Sequence, residues 1–234
     1  MSLGQPEFES RLAAVEARIQ KAVERCGRKR SEITLVAVSK KFSAAKIREA
    51  YNAGLRDFGE NYVQEFAEKA TALEDLRDGR FHLIGHLQSN KAQLASRLFQ
   101  VVHTVDSDKL MKRLDRTAQE QGRSIEVLFE IKLSSEASKT GAAPEDIPGL
   151  LKAAEQCPAL KITGVMTMPP WSEDAEQSRP FFRQLAQLAH QNGLPKLSMG
   201  MSGDFEVAIE EGSTLIRVGT ALFGARPKPA NALS

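Results

Sequence analysis

The feature that most constrains this chain is an alternation. From residue 33 onwards, short apolar runs and longer amphipathic runs take turns eight times. The runs at 33–40, 57–60, 81–85, 101–106, 125–133, 160–168, 196–201 and 213–219 read as strands. The segments 44–54, 61–76, 89–100, 108–122, 143–157, 175–193, 204–212 and 220–226 read as helices, with Ser43 an N-cap candidate and Gly54 and Gly122 as stops. Strict strand-then-helix order implies parallel pairing through right-handed crossovers. Eight such units close into a single α/β domain, a (β/α)8 TIM barrel, and 234 residues is an ordinary length for one. An open doubly wound sheet is the rival. Against it, no G-x-G-x-x-G follows the first strand.

Ahead of the barrel (33–226), residues 7–27 place Leu12, Val15, Ile19 and Val23 at helical spacing, predicting an extra N-terminal helix packed on its own domain. Residues 227–234 read as a frayed tail. No linker or internal repeat divides the chain, so residues 1–234 are expected to form one domain.

Composition serves mainly to exclude. A formal net charge of +2 argues against nucleic acid as the main partner. No run approaches eighteen apolar residues, and no basic segment followed by an apolar core marks the N-terminus, so no membrane or secretion is expected. Cys26 and Cys157 lack metal-ligand spacing and suit a reducing compartment, while His82, His103 and His190 make no metal constellation. The expectation is a cytoplasmic monomer.

The chemistry collects at strand ends. Ile33–Lys40 is a β-branched run closed by a lysine, with Lys41 directly behind. Strands buried on both faces belong to parallel sheets, whose ligands sit at the carboxyl ends. Strand alternation puts Lys40 and Lys41 on opposite faces without choosing between them, and a solvated loop lysine is the plain alternative. In such barrels the loops after strands seven and eight commonly cradle a phosphate. Here they read Met201-Ser202-Gly203-Asp204 and Arg217-Val218-Gly219-Thr220, each joining a glycine to a hydroxyl residue before a helix. Ser202 and Thr220 also suit helix N-caps. Arg217 could meet the phosphate, meet another ring atom, or pair with a core carboxylate such as Glu60. Strands one and eight are neighbours once the barrel closes, and a lysine beside a phosphate site suits a Schiff base with a phosphorylated aldehyde. Burial and the Arg217 charge would both depress the lysine pKa.

VAVSK (36–40), FGENYVQE (58–65), HLIGHLQSNK (82–91), HTVDS (103–107), SKTG (138–141), GVMTM (164–168), LSMGMSGD (197–204) and IRVGTALFGAR (216–226) together resemble the pyridoxal 5′-phosphate homeostasis protein family, also called proline synthetase co-transcribed homologue. The resemblance runs from residue 8 to 226. It implies the barrel of the alanine racemase N-terminal domain, with pyridoxal 5′-phosphate (PLP) covalently bound as a Schiff base on Lys40 rather than Lys41. It further implies that Ser202, Gly203, Gly219 and Thr220 hold the phosphate and that Arg217 faces the pyridine nitrogen. Asn61 and His86 would lie over the ring or its hydroxyl, with Met166 beneath. Gly203 departs from the pattern, where Asp or another residue is expected. An arginine at the pyridine nitrogen leaves the ring a weak electron sink, unlike the carboxylate that transaminases and decarboxylases use. Racemases of this type also use a tyrosine from an added β-domain, whereas Tyr51 and Tyr62 belong to early helices here and the chain stops after the eighth strand. The resemblance therefore implies vitamin B6 homeostasis, with apo-PLP enzymes as candidate recipients and no substantial turnover. An amino-acid racemase-like enzyme and a sugar-phosphate aldolase using Lys40 are the alternatives. The 134–139 loop and Lys139 lie near the expected mouth.

Overall fold

The computed structural model describes residues 5–134 and 140–225. Lys139 and the tail at 227–234 lie outside the described residues. Helix α1 (Gln5–Arg25) precedes β1 (Thr34–Val38), and α2 (Ala44–Asn52) follows it. The alternation continues with β2 (Asp57–Glu60), α3 (Val63–Ala70), β3 (Arg80–Leu83), α4 (Ala92–Leu98), β4 (Val101–Val105), α5 (Asp108–Glu120), β5 (Ile125–Glu130) and α6 (Ile147–Ala154). It ends with β6 (Leu160–Met166), α7 (Arg179–Gln191), β7 (Lys196–Met201), α8 (Phe205–Glu210), β8 (Leu215–Val218) and α9 (Thr220–Phe223). All eight strands are parallel and close in sequence order into a barrel. The closure pairs β1 with β8, Val36 opposite Arg217 and Ala37 opposite Val218. The open-sheet alternative is thereby removed.

Most apolar weight lies between the strands and the surrounding helices. Phe66, from α3, packs its ring on Phe81 and Phe99 at 4.6 and 5.0 Å between centroids, and Phe58 lies 5.7 Å from Phe81. Truncating such a buried ring costs about 3–5 kcal/mol, so this layer anchors the helices. Inside the barrel the apolar set is small: Val36, Val101, Leu128 and Leu215 form their own cluster, separate from the outer core. Much of the remaining interior is polar. Helix α1 lies against α8 and α9. Its Arg18 grips Glu206 at 2.6 Å and Arg25 grips Glu210, so the predicted extra helix does pack on its own barrel.

Several elements are shorter than their apolar runs. The first strand stops at Val38, because the chain then bends: Phe42 N–H donates back to Ser39 O and Lys41 takes φ +65°. The segment 61–76 becomes helical only at Val63, since Tyr62 is extended at φ −125° and ψ 117°, and it finishes in a 3-10 turn over Thr71–Leu73. Such end effects follow from local hydrogen bonding that apolar periodicity does not encode.

Candidate cofactor site

At the carboxyl ends of the strands lies a cavity of about 360 Å³. Lys40, Asn61, Ser202, Gly203, Arg217, Gly219 and Thr220 all border it, together with Val38, Phe42, Ile84, Met168 and Met201. The parallel sheet causes this convergence: every strand delivers its carboxyl end to the same face.

The two adjacent lysines are distinguished by backbone geometry. Lys40 is half-buried on the cavity. Lys41 is exposed, is the only non-glycine with positive φ among the described residues, and does not line the cavity. Both neighbours of Lys40 are tied to a buried network. The Ser39 hydroxyl donates to Glu60 Oε1 at 2.8 Å, and Lys41 N–H donates to Glu65 Oε1 at 2.6 Å. Lys69 Nζ joins these carboxylates, 3.0 Å from Glu60 and 2.7 Å from Glu65. Burial raises the Glu60 carboxyl above its ordinary value, against the pull of Lys69. Glu60 is therefore spoken for by Lys69 and Ser39, which removes the alternative that pairs it with Arg217.

The two glycine corners border the same cavity as Lys40. The Ser202 hydroxyl accepts from the N–H groups of Gly219 and Ala221 at 3.4 and 3.5 Å, so it links one corner to the other instead of capping its own helix. Asp204 closes its own turn, accepting from Met201 N–H at 2.7 Å and from the Ser178 hydroxyl at 2.9 Å. From below, Arg18 donates to the Ser202 carbonyl at 3.2 Å, so α1 supports this corner. Gly200 holds φ +91°, where a Cβ would meet the Phe205 backbone at 2.9 Å. Only glycine fits that approach.

Arg217 forms the floor. It is 4% exposed, donating from Nη1 to Ser198 Oγ at 2.6 Å and from Nη2 to the Thr167 carbonyl at 3.0 Å. Burial pulls its pKa down to about 10, with the charges of Asp204 and Glu130 opposing. It thus keeps its proton at neutral pH, as the sequence argument requires.

Asn61 reaches the cavity because Gly85 has no side chain: a Cβ there would land on the Asn61 backbone. His86 and Met166 are not brought to the cavity. His86 is exposed beyond β3, and Ile84, two residues earlier, borders the cavity instead. Met166 is fully buried at the end of β6, and Met168 takes the bordering position. Trp171 borders the cavity while 82% exposed.

His82 and His103, which make no metal constellation, are joined to each other. Their rings meet inside the barrel at 2.9 Å between His82 Nδ1 and His103 Nε2. The available signal was a histidine inside each of two successive, largely apolar strands.

A parallel eight-stranded barrel with a lysine after its first strand, glycine corners after its last two and a buried arginine between them defines a class. The alanine racemase N-terminal domain family matches residues 10–227. Within that class the chain belongs to the pyridoxal phosphate homeostasis protein family. It is 47% identical over 217 residues to that protein of Pseudomonas aeruginosa, covering 92% of this chain and 94% of the relative. With the Aquifex aeolicus protein it shares 43% over 222 residues, covering 92% and 97%. PipY of Synechococcus elongatus, solved with PLP bound, superposes with a TM-score of 0.81 at 42% identity, covering 93% of this chain and 100% of PipY. Alanine racemase of Clostridium difficile shares the fold at TM-score 0.71 and 12% identity, with the match spanning 57% of that chain.

Proposed function

We propose that this protein binds PLP covalently on Lys40 and serves its intracellular homeostasis, holding the cofactor and passing it on without substantial turnover. One observation carries the reading: Lys40, Arg217, Ser202, Gly219 and Thr220 border a single cavity. Its volume, about 360 Å³, is of the size that small cofactors occupy. The residues suit the group. Lys40 would supply the amine for a Schiff base, the aldehyde oxygen leaving as water with the two amine hydrogens. Ser202, Gly219 and Thr220 offer a hydroxyl and backbone donors to a phosphate, with Gly203 leaving the corner open. Arg217 presents a permanent cation to the pyridine nitrogen, and Asn61 adds an amide at the rim. When bound, PLP supplies a reactive aldehyde and an electron-withdrawing ring.

The low-turnover part rests on proton donors and acceptors. Among the described residues no tyrosine borders the cavity: the Tyr51 hydroxyl is bonded to Asp78, and Tyr62 is half-exposed outside the lining. Arg217, facing the ring nitrogen, also disfavours carbanion chemistry. The racemase relatives share the fold and lend it nothing more. No helix among the described residues is long and apolar enough to cross a membrane. A cytoplasmic monomer handing PLP to apo-enzymes is the setting this reading implies.

Absorbance spectra with and without added PLP test it. Wild type gains a visible band that borohydride fixes to a peptide containing Lys40, and Lys40→Ala gains none. A full band in Lys40→Ala moves the anchor to another lysine. Rapid exchange of amino-acid α-hydrogens into deuterium oxide by the loaded protein overturns the carrier reading in favour of a racemase-like one. A protein that takes up no PLP and traps a sugar phosphate is an aldolase.

A further inference from the structure

A continuous line of polar side chains crosses the barrel interior behind the cavity. Arg217 Nη1 donates to Ser198 Oγ at 2.6 Å, and Ser198 Oγ lies 2.8 Å from His103 Nδ1. His103 Nε2 lies 2.9 Å from His82 Nδ1, and His82 Nε2 lies 2.9 Å from Asp57 Oδ1. Ser198, His103 and His82 are each at most 1% exposed. Asp57 begins β2 and is therefore at the opposite end of the barrel from the cavity, where its carboxylate is partly open to solvent. Four strands contribute their third residue: His82 from β3, His103 from β4, Ser198 from β7 and Arg217 from β8.

The two ends dictate the order of the protons. A guanidinium only donates, and a carboxylate only accepts. With Ser198 Oγ accepting from Arg217, its own hydrogen is available to His103 Nδ1. His103 then carries its proton on Nε2 and gives it to His82 Nδ1, and His82 carries its proton on Nε2 and gives it to Asp57. Each group is satisfied with both imidazoles neutral, and burial pushes both histidines below their ordinary pKa. Reversing the rings would set a bare His82 nitrogen against the Asp57 carboxylate.

Resting on the reading of the cavity as a PLP site, we propose that Ser198, His103, His82 and Asp57 form a positioning relay that fixes the Arg217 guanidinium at the floor of the cavity and sets its strength as a donor toward the cofactor. Hydrogen bonds aligned in one direction reinforce one another in a low-dielectric interior, so the charge of Asp57 is felt along the row. The relay also explains why a barrel core tolerates two buried histidines: they leave no polar atom of this row unpaired.

The test has two arms. In the protein without cofactor, ¹⁵N spectra of the histidine rings report the tautomers, and the guanidinium resonances report Arg217. Both His82 and His103 are expected as neutral Nε2–H forms from pH 8 to pH 6.5, and Asp57→Asn is expected to shift the Arg217 signals. An Nδ1–H form, a charged ring at pH 7, or Arg217 signals blind to Asp57→Asn overturns the relay with no reference to PLP. In the second arm PLP affinity and the pH titration of its visible band are compared. Ser198→Ala, which removes one hydrogen bond from Arg217, is expected to weaken PLP about fivefold and move that titration, with Ser198→Thr recovering part of both. Should Ser198→Ala fail to fold, Asp57→Asn at the partly exposed end takes its place. Unchanged affinity and titration in a folded variant overturn the proposal. A wild type that binds no PLP defeats the cofactor reading alone, since the first arm still decides the relay.

Discussion

Ser202 and Gly219, on different loops, are coupled by a hydrogen bond: the serine oxygen stands 3.4 Å from the glycine N–H and 3.5 Å from that of Ala221. Both lengths are at the far end of the hydrogen-bonding range, so the hydroxyl holds these two donors loosely. An anion with shorter contacts displaces it at little cost.

Ser202→Ala removes that hydroxyl without disturbing the fold, since the residue is half-buried and leaves no deep cavity. Stability should change by less than about 1 kcal/mol, and PLP affinity should fall by roughly three- to tenfold, the value of one hydrogen bond. Equilibrium dialysis beside thermal unfolding separates the two. A loss of melting temperature with intact affinity would make Ser202 structural.

Lys69 supports the site from behind. It is 9% exposed and is the cation shared by Glu60 and Glu65, while Glu60 Oε2 already has no hydrogen-bond partner. Removing the cation in Lys69→Met leaves a buried carboxylate uncompensated and should cost about 3 kcal/mol or more. Adding Glu60→Gln should return part of that loss, because the stranded charge goes with it. Chemical denaturation of the single and double variants measures both, and a double variant as unstable as the sum of its parts would show that the ion pair is not the cause.

Much of this arrangement was legible in the sequence, and what was not has physical reasons. The barrel followed from alternation, and the cavity residues Lys40, Ser202, Gly203, Arg217, Gly219 and Thr220 followed from their places at or just after the ends of strands one, seven and eight. The pairing of Arg217 was not legible, because which inward side chains meet depends on stagger across the barrel: Arg217 lies opposite Met201 on β7 yet bonds Ser198. His86, beyond β3, and Met166, at the end of β6, each lie two residues away from a position that borders the cavity. The His82–His103 pair joins positions 21 residues apart, and no local periodicity reports such a contact.

Two glycines at this face should respond oppositely to substitution. A Cβ on Gly203 meets nothing within 4 Å, so Gly203→Asp should fold with a stability within about 0.5 kcal/mol of wild type. It should nonetheless weaken PLP binding, because the added carboxylate stands beside the phosphate corner. Gly85→Ala instead drives a methyl into the Asn61 backbone, and should destabilise the protein and distort the rim. Melting curves paired with PLP titrations distinguish a spacing role from an electrostatic one. Equal damage from both substitutions would contradict the difference in available space.

The buried histidines predict a pH dependence of stability with a definite sign. His82 and His103 are both held below the ordinary value of 6.5 by burial, His103 the more strongly. The positive charges of Arg217, Lys196 and Arg80 and the neighbouring His82 add to the effect on His103, while Asp57 partly offsets it at His82. Below pH 6.5 the unfolded chain takes up protons that the folded barrel refuses, so the stability they provide is present above 6.5 and lost as pH falls. The slope approaches about 1.4 kcal/mol per pH unit for each histidine. Glu60 and Glu130, raised above 4.5 by burial, act in the opposite direction, losing stability as pH rises through their folded values. Substituting a histidine isolates its share from theirs. His103→Gln should be less stable than wild type at pH 8, having lost two buried hydrogen bonds, but should fall less steeply between pH 6.5 and 5.5. Urea midpoints across that interval measure the difference, and parallel curves for the two proteins would mean that His103 does not stay neutral inside the barrel.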